Sequence, residues 1–471
     1  MVAETGLLNA VLTGIVTGSV IALGAIGLAL VYDIADVPNF AHGDILTLGA
    51  YVALLVNVPG TVPGFGPLTA GPRSLTAAGQ AVLFVLTAVS VLAIVYHLGG
   101  RRALAGGWWG IDVSPPVGLG VHAGVAVALG ALVAFGAPSF LVALVFATLV
   151  AGALIPVMES RVFRKFRARE ASLAMMLIVS LALSFILRYG IQTVFGGQIR
   201  RYQVDSTIPF GGGVLDITQA KNVDLALGTG GLSVAVRETG NAATQLLALR
   251  YGWLEILAIL TVAALIGVAG YRRRQGTAAV IGPRLAASVG ALGAIGVGGV
   301  VFAGGSTLAD PAFITRVDSS PLKLATIGVA LLMMTLLHYL LRATTLGKAM
   351  RATSDNRDLA MIRGINTRRV MMSVWIIAGL FGAVGGVLLG FVFANITINL
   401  GFNLLIPMFA GVILGGISVY GAILGSYIVG LAMEVGIYAI PGLDTTYRMP
   451  VAFVVLLLVL LIKPEGITGG N

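Results

Sequence analysis

Residues 37–51 read VPNFAHGDILTLGAY and gather Asn39, His42, Gly43 and Asp44 just after Pro38, between two apolar runs. Polar groups are costly in such surroundings unless something satisfies or uses them. Pro38 cannot continue a helix from before it, Asn39 can cap the one that follows, and Asp44 falls in its first turn, where the macrodipole favours an acid. Capping accounts for Asn39 and Asp44 but leaves His42 unexplained. A polar cluster at the end of a membrane span is otherwise a candidate working site. Residue types alone leave both readings open. Cysteine is absent, so disulfides, thiol catalysis and thiolate metal sites are excluded. The four histidines, His42, His97, His122 and His338, stand far apart with no metal-ligand spacing. The expectation is a chain with no catalytic residue and no metal site.

The elements that must position this cluster are membrane helices. The chain is 58% hydrophobic and only 10% charged, where a soluble domain carries about 25% charged residues. Its mean hydropathy is +0.99. Runs such as 76–97 and 254–271 are long enough to cross a ~30 Å apolar core. Continuous apolar runs, rather than alternating ones, exclude a β-barrel. Spans are expected near 7–31, 40–57, 76–97, 117–135, 139–158, 172–195, 253–271, 285–303, 322–342, 370–393, 404–438 and 447–463. The expected fold is an all-α polytopic membrane protein, a bundle of roughly 10–13 transmembrane helices with broken or re-entrant glycine-rich segments.

Charge gives the expected orientation. ESRVFRKFRARE (159–170) carries five basic residues, 271–284 four and 342–369 seven. By the positive-inside rule these loops are cytoplasmic, which leaves the 196–252 loop outside, the N-terminus outside and the C-terminus inside. The first six residues include Glu4 and no basic residue, so the first apolar run is expected to be retained as a span. The net charge of +10 is thus read as a membrane face and not as a nucleic-acid surface.

Glycine is the second signal, at 65 residues about twice the usual ~7% share. Pairs four apart, such as Gly14/Gly18, Gly382/Gly386 and Gly421/Gly425, let helix backbones approach closely in lipid. The dense run 411–430, with Gly415 and Gly416 adjacent, permits a broken helix, which is tolerated where it lines a cavity.

GIVTGSVIALGAIGLALVYDIADVPNFAHGDILTLGAY (14–51) resembles the opening of the branched-chain amino-acid ABC-transporter permease family, in its LivH-type form. Three further stretches agree in order: 159–197, TTLGKAMRATSDNRDLAMIRGINTRRV (344–370), and TYRMPVAFVVLLLVLLIKPEGITG (446–469). The expectation is a single permease domain over 1–471, with a family-like core at 7–57, 150–204 and 322–469 and atypical insertions at 58–149 and 205–321.

The resemblance implies a permease subunit of an ABC importer in a prokaryotic cell membrane. It implies a second permease of LivM type, two cytoplasmic ATPase subunits and an extracytoplasmic binding protein as partners, alongside membrane lipid and without nucleic acid. No G-x-x-x-x-G-K-[ST] loop is present, so ATP-Mg belongs to the partners and this chain holds no cofactor. Branched-chain amino acids lead as substrate, with urea or short amides as rivals. A helix N-terminus near 39–51 could receive a carboxylate and glycine-exposed carbonyls near 411–425 an ammonium. The expected pathway or gate is Asn39, His42, Gly43, Asp44, Gly415 and Gly416, and substitution of His42 or Asp44 should impair transport while sparing abundance. An ion-coupled secondary transporter would need ionisable groups paired within spans, and only Glu434, Arg188 and Asp44 are present as candidates.

Loop 344–370 also reads without the family. Thr353 or Ser354 can cap a short helix near Asp355, Asp355 and Asp358 suit its first turn, and Ala360, Met361 and Ile362 supply an apolar surface. Gly364 fits its C′ stop. The resemblance makes this an ATPase-coupling loop, with Thr353, Asp355, Asn356, Ala360, Gly364, Ile365 and Asn366 as its residues. The orientation is testable because the chain lacks cysteine. A single cysteine replacing Thr353 should resist an impermeant thiol reagent added to intact cells, and one replacing Thr229 should react; the reverse pattern contradicts the assignment.

Overall fold

The computed structural model describes residues 2–35, 37–104, 107–108, 111–112, 115–137, 139–204, 207–210, 213–216, 221–238, 241–274, 283–302, 311–440, 442, 444–462 and 466. The expected basic loop 271–284 lies largely outside them. The chain opens with α1 (Val2–Ala35), α2 (His42–Asn57) and α3 (Ala77–Leu104), then the two-residue strands β1 (Gly107–Trp108) and β2 (Ile111–Asp112). Next come α4 (Pro115–Phe135), α5 (Phe140–Met158), a π-helical turn (Glu159–Phe163), α6 (Arg164–Arg167) and α7 (Leu173–Phe195). Strands β3 (Thr207–Phe210), β4 (Gly213–Asp216), β5 (Lys221–Gly228), β6 (Gly231–Glu238) and β7 (Asn241–Gly252) lead into α8 (Trp253–Arg274), α9 (Pro283–Val301) and β8 (Pro311–Ser319). The chain closes with α10 (Pro321–Ala343), α11 (Thr345–Asp355), α12 (Arg357–Ile362), α13 (Thr367–Phe393), α14 (Leu400–Leu414), α15 (Val419–Ala439) and α16 (Arg448–Ile462).

Among the described residues nine helices are long and apolar enough to cross a membrane, and α14 and α16 are shorter apolar helices. The protein is a multi-pass, all-α membrane protein in its spanning part. The run 404–438 resolves into two helices, α14 and α15. Gly416 stands at φ 71°, with Gly416 N–H bonded to Ile413 O and Ile417 N–H to Val412 O, each 3.0 Å, which closes α14 as a Schellman turn.

Two compact units form. One comprises Met1–Asn9 and Ser206–Leu324, the other Ala10–Asp205 and Ala325–Asn471. The first holds an antiparallel sheet of order β7-β6-β5-β8, in which Leu225 lies opposite Val234 of β6 and Thr315 of β8. Thr229 and Gly230 make the two-residue turn between β5 and β6. The α8–α9 pair completes this unit.

The second unit is built around α2, fifteen of whose sixteen residues are buried, packed by α13, α5, α14 and α7. Glycine makes that density possible. A Cβ at Gly382 would stand 2.8 Å from Ile45 Cγ2, and one at Gly386 would collide with the Leu46 carbonyl. Gly14 and Gly18 likewise take the backbones of Leu431 and Tyr427 on α15. The glycine spacing therefore serves close helix packing, which drives association where lipid offers no hydrophobic gain. Glu434 is also structural: it accepts from Thr17 Oγ1 at 3.1 Å and pairs with Arg448 at 3.0 Å, tying α1, α15 and α16 together.

Candidate functional site

The polar cluster sits where a membrane helix begins inside the protein. α1 continues eight residues past Gly27, about 12 Å, yet the His42 ring packs against Gly27: a Cβ there would meet His42 Cε1 at 2.6 Å. Residues 37–41 therefore turn back into the bundle, and α2 starts at that depth. Its 16 residues span about 24 Å, less than a ~30 Å apolar core. Irregular backbone at such depth survives only if buried in protein with its polar groups met. Here they are: Phe40 N–H donates to Ser180 Oγ (3.1 Å), Ala41 N–H to Asn39 Oδ1 (3.1 Å) and His42 N–H to Asn39 O (3.2 Å).

This corrects the expected cap. Asn39 does not cap α2; Ala41 occupies the N-cap position and no side chain caps the helix. The Asn39 oxygen is already committed to the turn before it, which moves the helix start to His42.

Asp44 does lie in the first turn of α2, but its main partner is Arg188 of α7. Arg188 Nε and Nη2 reach the two carboxylate oxygens at 3.0 and 3.1 Å, and Ser184 Oγ donates to the same carboxylate. Both charged groups are buried, and the guanidinium lies 4.0 Å from the Phe402 ring centroid. Ser180, Ser184 and Arg188 are four apart and make one polar stripe on an otherwise apolar helix. Sequence reasoning noted Arg188 but missed this stripe, whose spacing was the available signal.

A second short helix meets the first. α14 has 15 residues, about 22 Å, and its first turn packs on that of α2, so that a Cβ on Gly43 would lie 2.8 Å from Gly401 O. Thr47 Oγ1 accepts from Gly401 N–H at 2.9 Å. Two helix N-termini thus meet in the bundle interior; neither N-cap residue's own side chain caps its helix, while Thr47 of α2 serves the Gly401 N–H of α14. Beside them Asn39 Nδ2 and both His42 ring nitrogens are buried and make no hydrogen bond of good geometry among the described residues. Such an arrangement can receive an anionic group from a solute, as broken helices do in transporters. Gly415 and Gly416 are not part of it: they close the opposite end of α14, some 20 Å away along the helix.

The 344–370 loop holds two helices where one was expected. Thr344 caps α11 by accepting from Gly347 N–H at 3.0 Å, and the buried face Gly347, Met350 and Thr353 carries that helix through to Asp355. Thr353 is therefore a core residue whose hydroxyl donates to Ala349 O. Ser354 caps nothing either; its hydroxyl donates to Asp33 Oδ1 at 2.9 Å. Asn356 caps α12 through Leu359 N–H (2.9 Å), and Asp358 keeps its place in the first turn. Gly364, at φ 83°, ends α12 with its N–H on Met361 O and that of Ile365 on Ala360 O, each 3.0 Å. Asn366 then caps α13 through Arg369 N–H at 3.1 Å. Ala360 is only 4% exposed and faces the protein; the exposed apolar surface is Leu359 (52%), Met361 (47%) and Ile362 (82%).

The family model for the branched-chain amino acid transport system / permease component matches residues 10–101 and 212–460. The chain belongs to this family. Among its relatives is the high-affinity branched-chain amino acid transport system permease protein LivH of Escherichia coli K12, 37% identical over 142 residues, which is 30% of this chain and 45% of that protein. The probable LivH of Methanocaldococcus jannaschii is 33% identical over 146 residues, 30% of this chain and 46% of its own. The galactose/methyl galactoside import permease protein MglC of Haemophilus influenzae is 30% identical over 132 residues, 28% of this chain and 38% of its own. The chain thus spans about half the length, or less, of the curated relatives it matches. No solved structure matches it significantly.

The buried pair makes a prediction that replaces the expectation of normal abundance for Asp44 variants. Asp44→Ala leaves Arg188 buried without its counter-charge and should cost about 3–5 kcal/mol. Thermal melting of the purified protein should fall sharply for Asp44→Ala and recover substantially in Asp44→Ala/Arg188→Met, while His42→Ala melts near wild type. An Asp44→Ala protein as stable as wild type contradicts the pairing.

Proposed function

We propose that the chain is the membrane permease subunit of an ABC importer and moves branched-chain or related hydrophobic amino acids, using ATP hydrolysed by partner subunits. The observation that carries this reading is α12: a six-residue helix, capped at both ends, that exposes Leu359, Met361 and Ile362. A short rigid helix with an apolar tip suits a cleft on a partner, and the absence of a phosphate-binding loop in the sequence assigns the nucleotide to that partner. The partners of the reading are two cytoplasmic ATPases with ATP-Mg, a second permease of LivM type and an extracytoplasmic binding protein. The loop-bearing end and the C-terminus are then cytoplasmic and the N-terminus external. Residues 7–57, 150–204 and 322–469 are the transport machinery of this reading, and 58–149 and 205–321 its additions.

The substrate class follows from the curated relatives and from the site's chemistry. An amino acid enters as a zwitterion. Its carboxylate meets the first turn of α2 with Asn39 Nδ2 and His42. Ser354 bonds Asp33 near the end of α1, and Arg167 donates to Ala35 O at 3.0 Å two residues on. Residues 37–41 and the first turn of α2 follow directly. Motion of α11–α12 on ATPase closure is therefore delivered to the site through the end of α1.

The test uses the exposed face and the helix stop. Ile362→Asp puts a charge on the docking surface without touching the core. Gly364→Pro removes the N–H that closes α12 and fixes φ near −65° where +83° is needed. Both variants should fold, lose co-purifying ATPase and lose substrate-stimulated ATP hydrolysis. Retention of both activities contradicts the proposal. Ala360→Asp is not an equivalent probe, because its charge would enter the protein's own core.

A further inference from the structure

On the face of the bundle formed by α3, α5 and α13 lies a cavity of about 920 Å³ that the transport reading does not use. Arg161, Arg164 and Lys165 come from the π-helical turn and α6, where positions i, i+3 and i+4 share a face. Arg368 and Arg369 come from the first turn of α13. Among the described residues no carboxylate lines the cavity, and Glu159, on the same turn as Arg161, is buried and ion-paired to Arg167. Five cations around one space repel each other, and two of them occupy a helix N-terminus, which the macrodipole disfavours for positive charge. Arg161, Arg164, Lys165 and Arg368 are exposed and Arg369 half-buried, so solvent tolerates this charge, and the positive potential it creates attracts an anion.

The third wall is shaped for access. Gly100 stands at φ 63°, ψ −147°, a conformation closed to residues with a Cβ, and this bends the end of α3. Arg369 lies over the adjoining Gly99, 3.6 Å from Cζ to where a Cβ would stand. The cavity is also amphipathic, for Val157 and Met372 line it beside the cations. From its rim the exposed residues Tyr96, Leu92, Val89 and Val85 run away along one face of α3 at helical spacing. A soluble anion needs no such track, and a protein partner would not require it to run along the length of a spanning helix.

We propose that this cavity binds the headgroup of an anionic phospholipid, with the phosphate among Arg161, Arg368 and Arg369 and the acyl chains along the Val85–Tyr96 face. Basic pockets at the ends of membrane helices recognise phosphate headgroups through this chemistry.

The test places a single cysteine at Ser160, on the cavity wall, and labels it with an environment-sensitive dye in the purified full chain. Titration with phosphatidylglycerol should give a saturable response that phosphatidylcholine and inorganic phosphate do not reproduce. Arg161→Gln/Arg368→Gln/Arg369→Gln, all changed at the cavity surface, should weaken the phosphatidylglycerol response by about a hundredfold. Leu92→Gln/Val89→Gln tests the chain-binding face independently and should weaken it while leaving the melting temperature unchanged. An equal response to phosphatidylcholine, or saturation by phosphate alone, overturns the lipid assignment. So does an undiminished response in the triple variant, or a triple variant that keeps its lipid and instead loses a cytoplasmic protein.

Discussion

The buried pair of Asp44 and Arg188 holds the first turn of α2 against α7, and the rest of the second unit is arranged around that hold. A helix that starts part-way into an apolar layer leaves its leading backbone without water. Residues 37–41 meet this demand with Ser180, Asn39 and their own turn, and the ion pair anchors the helix start beside them. Breaking a buried pair is far more costly than never having had one. The pair is therefore best understood as the positioning device for the candidate site at Asn39, His42 and the first turns of α2 and α14.

Close packing and open polarity divide the work between different residues. Glycines at 24, 27, 382 and 386 bring α1, α2, α13 and α14 into near contact, which rigidifies the frame. Asn39 Nδ2 and the His42 ring lie at one depth, where α2 and α14 both begin. On the proposed reading, the frame is moved from one end through Ser354 and Asp33, and the site responds because residues 37–41 join α1 to α2 with little slack. The basic cavity beside α13 adds a place where the surrounding lipid can bear on the same frame.

Much of this was legible in the sequence, and the limits were physical. Apolar runs of sufficient length named the spanning helices because lipid leaves the backbone no alternative. The polarity of VPNFAHGD marked it as a candidate site, with capping as the alternative. What the sequence could not supply was which faces meet. The Ser180–Ser184–Arg188 spacing shows a polar stripe, but not that Asp44 lies opposite. Glycine density correctly indicated a break at 415–416, yet a break only marks where a chain turns, and here the turn lies at the far end of α14 from the site. Thr353 and Asn356 are both good capping residues; the buried face of α11 decided between them, and it depends on tertiary packing. Strands in 207–319 alternate over short stretches between apolar runs, so their pattern was overshadowed by the helices beside them.

The most direct test of the central claim is the accessibility of the turn before α2. With Ala41→Cys as the sole cysteine in a reconstituted assembly, reactivity toward a small impermeant thiol reagent would be measured from each side, with and without a non-hydrolysable ATP analogue. The account predicts that the side from which the introduced thiol reacts changes with nucleotide, and that an excess of transported amino acid protects it. A thiol that reacts from the same side in both states, or in neither, contradicts a pathway through this site.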